Sequence, residues 1–247
     1  MNKFVLAVVV ALALVVVALS APAVARLGGL QQYRAAAASE VRARYDNEPY
    51  KVHRRHRESQ KAAELLARVN TWVSMVFLRH LRRKYKAAVP DEKGGAPLRL
   101  RDPRAQIVHN ILRRYRPNKL IESSPNNPQE DTSYTINKGQ VLAICLREKG
   151  GKGGFHDFTT IRFVKVHELA HLGIDKHGHP PEFWSCFKFL LQESQDLVKV
   201  IPGAKFGEFE VMPRIEGWPD YVRHPINYCG LHVDYNPLYD PRVPLPA

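Results

Sequence analysis

Cysteine is scarce in this chain of 247 residues. There are three, Cys145, Cys186 and Cys229, too few and too scattered for the disulfide frameworks that hold small secreted domains together. Taken as free thiols, they favour a reducing compartment for the globular part. No finger-type pattern or other nucleic-acid module is visible, so any contact with nucleic acid has to be electrostatic. No internal repeat is visible, which argues against a repeat architecture. Proline and glycine are missing from Glu58 to Lys86, and polar residues are missing from Phe4 to Leu19.

The second of those gaps argues against an ordinary core helix, because the run has no polar face. An uncleaved anchor needs about 20 apolar residues, and Phe4 to Ala25 supplies them. A secretory signal ends in a small-x-small cleavage site, and Ala23-Val24-Ala25 before Arg26 fits that description. Residues 1–25 are therefore expected to be a single-pass membrane anchor, with secretion after signal cleavage as the alternative. The arginines after the run favour a cytosolic globular part under the positive-inside tendency.

Charge is divided unevenly. Residues 26–119 carry 23 Lys and Arg against 8 Asp and Glu, whereas residues 120–247 carry 13 against 16. With Lys3, this gives the net +13 of the chain. The basic charge thus belongs to residues 26–119, read as a linker followed by helices. Its part from 50 to 119 could meet anionic lipid, meet nucleic acid, or simply present a solvated helix face.

Ala62, Leu65, Leu66, Val69, Val73, Val76, Phe77 and Leu81 recur at helical spacing, which predicts a helix from Glu58 to about Lys86. Asp102 and Pro103 suit the N-cap and first turn of a second helix over 103–116. Thr135-Ile136 and Gln140 to Arg147 read as strands joined at Asn137-Lys138-Gly139. The second strand is nearly all apolar. It is either a buried structural strand or an edge open to an extended peptide. A helix is predicted from Thr159 to Leu172, ending near Gly173, and another from Pro180 or Pro181 to Lys199. Beyond Pro202 no strong period is visible.

The chemistry lies in His167-Glu168-Leu169-Ala170-His171. Two histidines four apart project from one helix face and can grip one metal ion, with the intervening glutamate beside it. A third histidine after the helix would complete a Zn²⁺ site with one position open, the pattern of catalytic rather than structural zinc. Water in the open position would be activated, and Glu168 would serve as general base. By spacing, the third ligand is either His177 or His179. Tyr228 is a candidate donor to a developing oxyanion, and Asp175 a candidate to orient a ligand histidine. Cys229 is a possible ligand, though a core or surface thiol is the simpler reading. His224 and His232 read as surface residues.

The segment Gly178-His179-Pro180-Pro181-Glu182-Phe183-Trp184 resembles the WLM and SprT-like metallopeptidases, in which HExxH is followed by a loop and a His with Phe or Trp four or five positions on. His179 meets that pattern with Phe183 and Trp184. His177 does not, and the metzincin pattern lacks its glycine, since Ile174 stands there. Asn137 to Arg147, and Tyr228-Cys229-Gly230, resemble stretches of WLM-like proteins of large DNA viruses. The resemblance covers about Ile121 to Lys199. It implies an α+β, zincin-like domain over 120–247, with His167, His171 and His179 as zinc ligands and protein or peptide as substrate. Two alternatives stand beside it: a protease for proteins crosslinked to DNA, and a non-catalytic zinc-binding structural protein of virions or membranes.

Overall fold

Short strands pair into a five-stranded mixed sheet in this computed structural model, which describes residues 38–53, 58–88, 100–123, 133–148, 154–195, 197, 199–202, 209–212 and 217–247. The chain divides into two units, 1–39 and 40–247, and the elements below belong to the second, which β1 (Ala38–Arg42) enters. The other strands of the sheet are β2 (Pro49–His53), β3 (Leu120–Glu122), β4 (Tyr134–Ile136) and β5 (Val141–Ile144). Their order is β1-β2-β3-β5-β4. β2, β3 and β5 run parallel, and β4 closes the sheet antiparallel to β5 with Thr135 opposite Leu142.

The hairpin expected at Asn137-Lys138-Gly139 is present, and all three residues have positive φ. Gly139 cannot be replaced there for a second reason. A Cβ would come within 2.7 Å of the Arg114 carbonyl oxygen. The strand from Val141 turns out to be interior, paired with β3 on one side and β4 on the other. It therefore offers no edge. The sheet edge on this side is β4.

The helix predicted from Glu58 forms as α1 (Ser59–Thr71), a π-helical turn (Trp72–Phe77) and α2 (Leu78–Lys84). The π turn buries Trp72 and Phe77, whose rings stack at 5.6 Å. α3 (Pro103–Arg114) begins as expected, with the Asp102 carboxylate accepting from the Arg104 amide at 2.9 Å. α4 (Phe158–Gly173) is capped the same way by Asp157 and Thr160. Eleven of its sixteen residues are buried, so it is a central helix rather than a one-sided surface one. It packs against α1, α3 and α5 (Pro181–Ser194), and against β4 and β5. Apolar residues of the helices and of β5 make one core.

α5 stops five residues before the predicted Lys199, which lies instead in β6 (Lys199–Pro202), paired with β7 (Phe209–Met212). The end of α5 has a local cause. The Ser194 hydroxyl donates back to the carbonyls of Leu190 and Leu191, and the Trp218 indole N–H also takes Leu191 O, an alternative to continued helix. The tail adds a hairpin, β8 (Ile226–Tyr228) and β9 (Leu231–Val233).

Two expectations are corrected. Cys145 and Cys229 form a disulfide and only Cys186 is a free thiol, which removes the basis for placing the globular part in a reducing compartment. The bridge was not legible because 84 residues separate its ends. The expected membrane span, residues 1–25, lies outside the described residues. Among the described residues no helix is long and apolar enough to cross a membrane. The longest helical stretch among them, 59–84, carries Lys61, Glu64, Arg68, Arg79, Arg82, Arg83 and Lys84, each costly to place in hydrocarbon. The membrane localisation is corrected accordingly, and no tether enters the functional reading.

Candidate metal centre

Helical spacing puts His167 and His171 one turn apart on α4, with ring centroids 5.1 Å apart. α4 ends at Gly173, where a Cβ would meet Cys186 Sγ at 2.8 Å and Ile107 Cγ2 at 3.0 Å. Glycine there allows α3 and α5 to close on the end of α4. The chain then reverses through Gly178, φ +70°, and returns His179 to the face that carries the first two. Its Nε2 lies 3.1 Å from His167 Nε2. One nitrogen from each of the three rings lies within 4.8 Å of the others. His177 is exposed and is not in this group.

The floor is aromatic. The Phe183 ring lies 4.8, 4.5 and 4.5 Å from the rings of His167, His171 and His179, and Trp184 packs on His179 at 5.5 Å. Phe183 is fully buried. Burial holds all three imidazoles below their ordinary pKa, His167 furthest and His171 at about 4, with the neighbouring histidines adding to the effect on these two. They are neutral at neutral pH, as metal ligands must be.

The donor set fits zinc. Two nitrogens at about 2.05 Å from a tetrahedral ion lie about 3.3 Å apart, close to the 3.1 Å between His167 and His179.

Glu168 sits beside this cluster and is buried. Its carboxylate Oε2 accepts from Thr135 Oγ1 at 2.6 Å, so the edge strand β4 orients it. The far end of α4 is held by two cations. Arg114 donates to the carbonyls of Leu172 and Ile174 at 2.8 and 3.0 Å and also pairs with Asp175. Lys138 donates to the His171 carbonyl at 3.1 Å. These contacts suit the negative end of the helix. Asp175 therefore holds Arg114 rather than a histidine.

Tyr228 is not available for an oxyanion: its hydroxyl donates to the Cys145 carbonyl and lies 3.3 Å from Ser133 Oγ, and burial pushes its pKa up. His224 and His232 are exposed, as expected. Thr135, Lys138 and Arg114 went unnoticed in the sequence. Each lies 33 or more residues from its partner, and no local pattern marks such contacts.

Comparison with known proteins shows the family. The family model of the WLM domain matches residues 83–211. An uncharacterized protein of Acanthamoeba polyphaga mimivirus is 33% identical over 115 residues, covering 47% of this chain and 49% of that protein. An uncharacterized protein of Invertebrate iridescent virus 6 is 37% identical over 65 residues, 26% of this chain and 36% of that protein. One of Invertebrate iridescent virus 3 is 35% identical over 63 residues, 26% and 38%. The matches thus span half or less of each relative's length. No solved structure matches.

Proposed function

Because the chain belongs to the WLM-domain family, a protease-type family, we propose that it is a zinc-dependent metallopeptidase with His167, His171 and His179 as zinc ligands and Glu168 as general base. The observation that carries this reading is the convergence of three neutral imidazoles beside one buried, oriented carboxylate. Zinc held there supplies a Lewis acid, which polarises a carbonyl and lowers the pKa of water toward neutrality. The chain's own groups do the rest. The Glu168 carboxylate takes a proton from the attacking water and returns it to the leaving amine nitrogen. Thr135 keeps that carboxylate in one orientation through the reaction. An extended substrate peptide adds beside β4, the last strand of the sheet.

The substrate class is protein. Arg79, Arg82 and Arg83 are exposed along the end of the helical stretch 59–84, which favours a substrate held on or near a polyanion such as nucleic acid. Binding of the full chain to a DNA duplex, falling steeply with salt and weakened by triple substitution of these arginines with Gln, tests that extension.

The main test measures zinc content and peptide-bond cleavage on casein for the wild type and Glu168→Gln. One equivalent of zinc at the histidine centre in both, with cleavage only in the wild type, is the expected result. Zinc without Glu168-dependent cleavage would leave a non-catalytic zinc protein. His179→Ala should lose the zinc and His177→Ala should keep it.

A further inference from the structure

A second cluster of ligand-type side chains lies where the tail hairpin meets the sheet. Cys145 follows β5, Cys229 stands in the turn between β8 and β9, and His156 precedes α4. Their Sγ, Sγ and imidazole nitrogen atoms all lie within 4.8 Å of one another. Both sulfurs are fully buried. His156 Nε2 is 3.2 Å from Cys229 Sγ, and the Arg147 carbonyl oxygen lies 3.2 and 3.1 Å from the two sulfurs.

A disulfide alone needs no imidazole aimed at it. Here the ring is held from behind as ligand histidines commonly are: its other nitrogen, Nδ1, lies 3.3 Å from Glu148 Oε1, and its face packs on Tyr228 at 4.5 Å. A carboxylate on the far nitrogen leaves Nε2 directed at the sulfurs and fixes the ring's orientation. Two thiolates and one imidazole suit a thiophilic ion such as Zn²⁺. Two thiolate charges also neutralise a divalent ion, which suits a buried position.

We propose that Cys145, Cys229 and His156 form a second metal site, blocked while the disulfide is intact and open to a thiophilic divalent ion once it is reduced. A dithiol reductant breaks the S–S bond, giving up two electrons and two protons and becoming a disulfide itself. Cys145 and Cys229 are then thiols. On binding the ion they release two protons to solvent and become its thiolate ligands, with His156 Nε2 as the third. The site shares no ligand residue with the histidine centre and does not depend on the peptidase reading.

Cadmium titration of the full chain, oxidised and anaerobically reduced, tests this. Thiolate-to-cadmium charge transfer in the ultraviolet reports sulfur ligation alone, and the three-histidine centre contributes none. Reduced wild type should develop the band to one equivalent, and the oxidised protein should not. His156→Gln leaves the disulfide intact and so folds in the oxidised form; on reduction it should bind cadmium at least tenfold more weakly. Cys186→Ala should behave as wild type. No band in the reduced protein, equal affinity in His156→Gln, or loss of the band in Cys186→Ala would each overturn the proposal.

Discussion

Thr135 Oγ1 donates to the carboxylate of Glu168 at 2.6 Å, a bond from the edge strand to the side chain between the two helix histidines. A hydrogen bond to a buried charge contributes about 1.5–3 kcal/mol. Thr135→Val keeps the shape and removes the donor. We expect a fall in kcat of about ten- to a hundredfold with zinc content unchanged. Steady-state kinetics together with metal analysis checks this; zinc loss in step with activity would make Thr135 a merely structural residue.

Gly173 marks a close contact of α4 with α3 and α5. In Gly173→Ala the new methyl meets Cys186 Sγ at 2.8 Å and Ile107 Cγ2 at 3.0 Å, and overpacking of this kind costs about 1–3 kcal/mol. The double variant with Cys186→Ala should recover part of that loss, because the sulfur is removed. Urea midpoints of the four proteins in the cycle measure the coupling. Additive effects would mean that α4 and α5 separate freely.

Arg114 joins α3 to the end of α4 through the carbonyls of Leu172 and Ile174. Arg114→Ala leaves those carbonyls without this donor and should lower stability by about 2–4 kcal/mol. Because His171 and His179 flank this end, zinc affinity should fall as well. Arg114→Lys should recover less than half, since one ammonium cannot copy the fork. Chelator competition and thermal melts read the two effects.

Lys165 is buried on α4 with its ammonium 5.2 Å from the Tyr115 ring centroid. It has no hydrogen-bond partner among the described residues. Burial lowers its pKa from 10.5 to about 7. Between those two values the unfolded chain holds a proton that the folded chain has released, so stability rises with pH across that window. Below it, both states are protonated and the cost of burying the charge is present in full. Lys165→Met should raise stability at pH 7 by on the order of a few kcal/mol and flatten Tm between pH 7 and 10. An unchanged slope would show that the ammonium reaches solvent.

The Cys145–Cys229 bridge spans 84 residues. By chain entropy, closing a loop of that length stabilises by about 4.5 kcal/mol. Reduction in the presence of a chelator should therefore lower Tm sharply. The Cys145→Ser and Cys229→Ser double variant should match the reduced protein and show no further change with reductant.

Much of the framework could be read from local pattern. The spacing of His167 and His171, the cap Asp102, and the β4–β5 turn at Asn137-Lys138-Gly139 depend on neighbours within a few residues, where helix period and turn stereochemistry act directly. Local pattern did not reveal where α5 ends, where the indole of Trp218, 27 residues away, takes the Leu191 carbonyl. Nor did it reveal the π turn at Trp72–Phe77, which shares the apolar spacing of the helix around it.

Which residues can do chemistry was thus written in the order of the chain: two histidines and a glutamate on one helix, and a choice between His177 and His179 after it. Tertiary structure favoured His179, by turning the chain at Gly178 over Phe183, and brought Thr135, Arg114 and Lys138 to the same helix. It also joined Cys145 to Cys229 and set His156 beside them. The physical reason is range. Backbone periodicity and caps act over a turn or two, whereas ion pairs, ring contacts and sulfur–sulfur bonds join whatever the packed core brings within a few ångströms, however far apart along the chain.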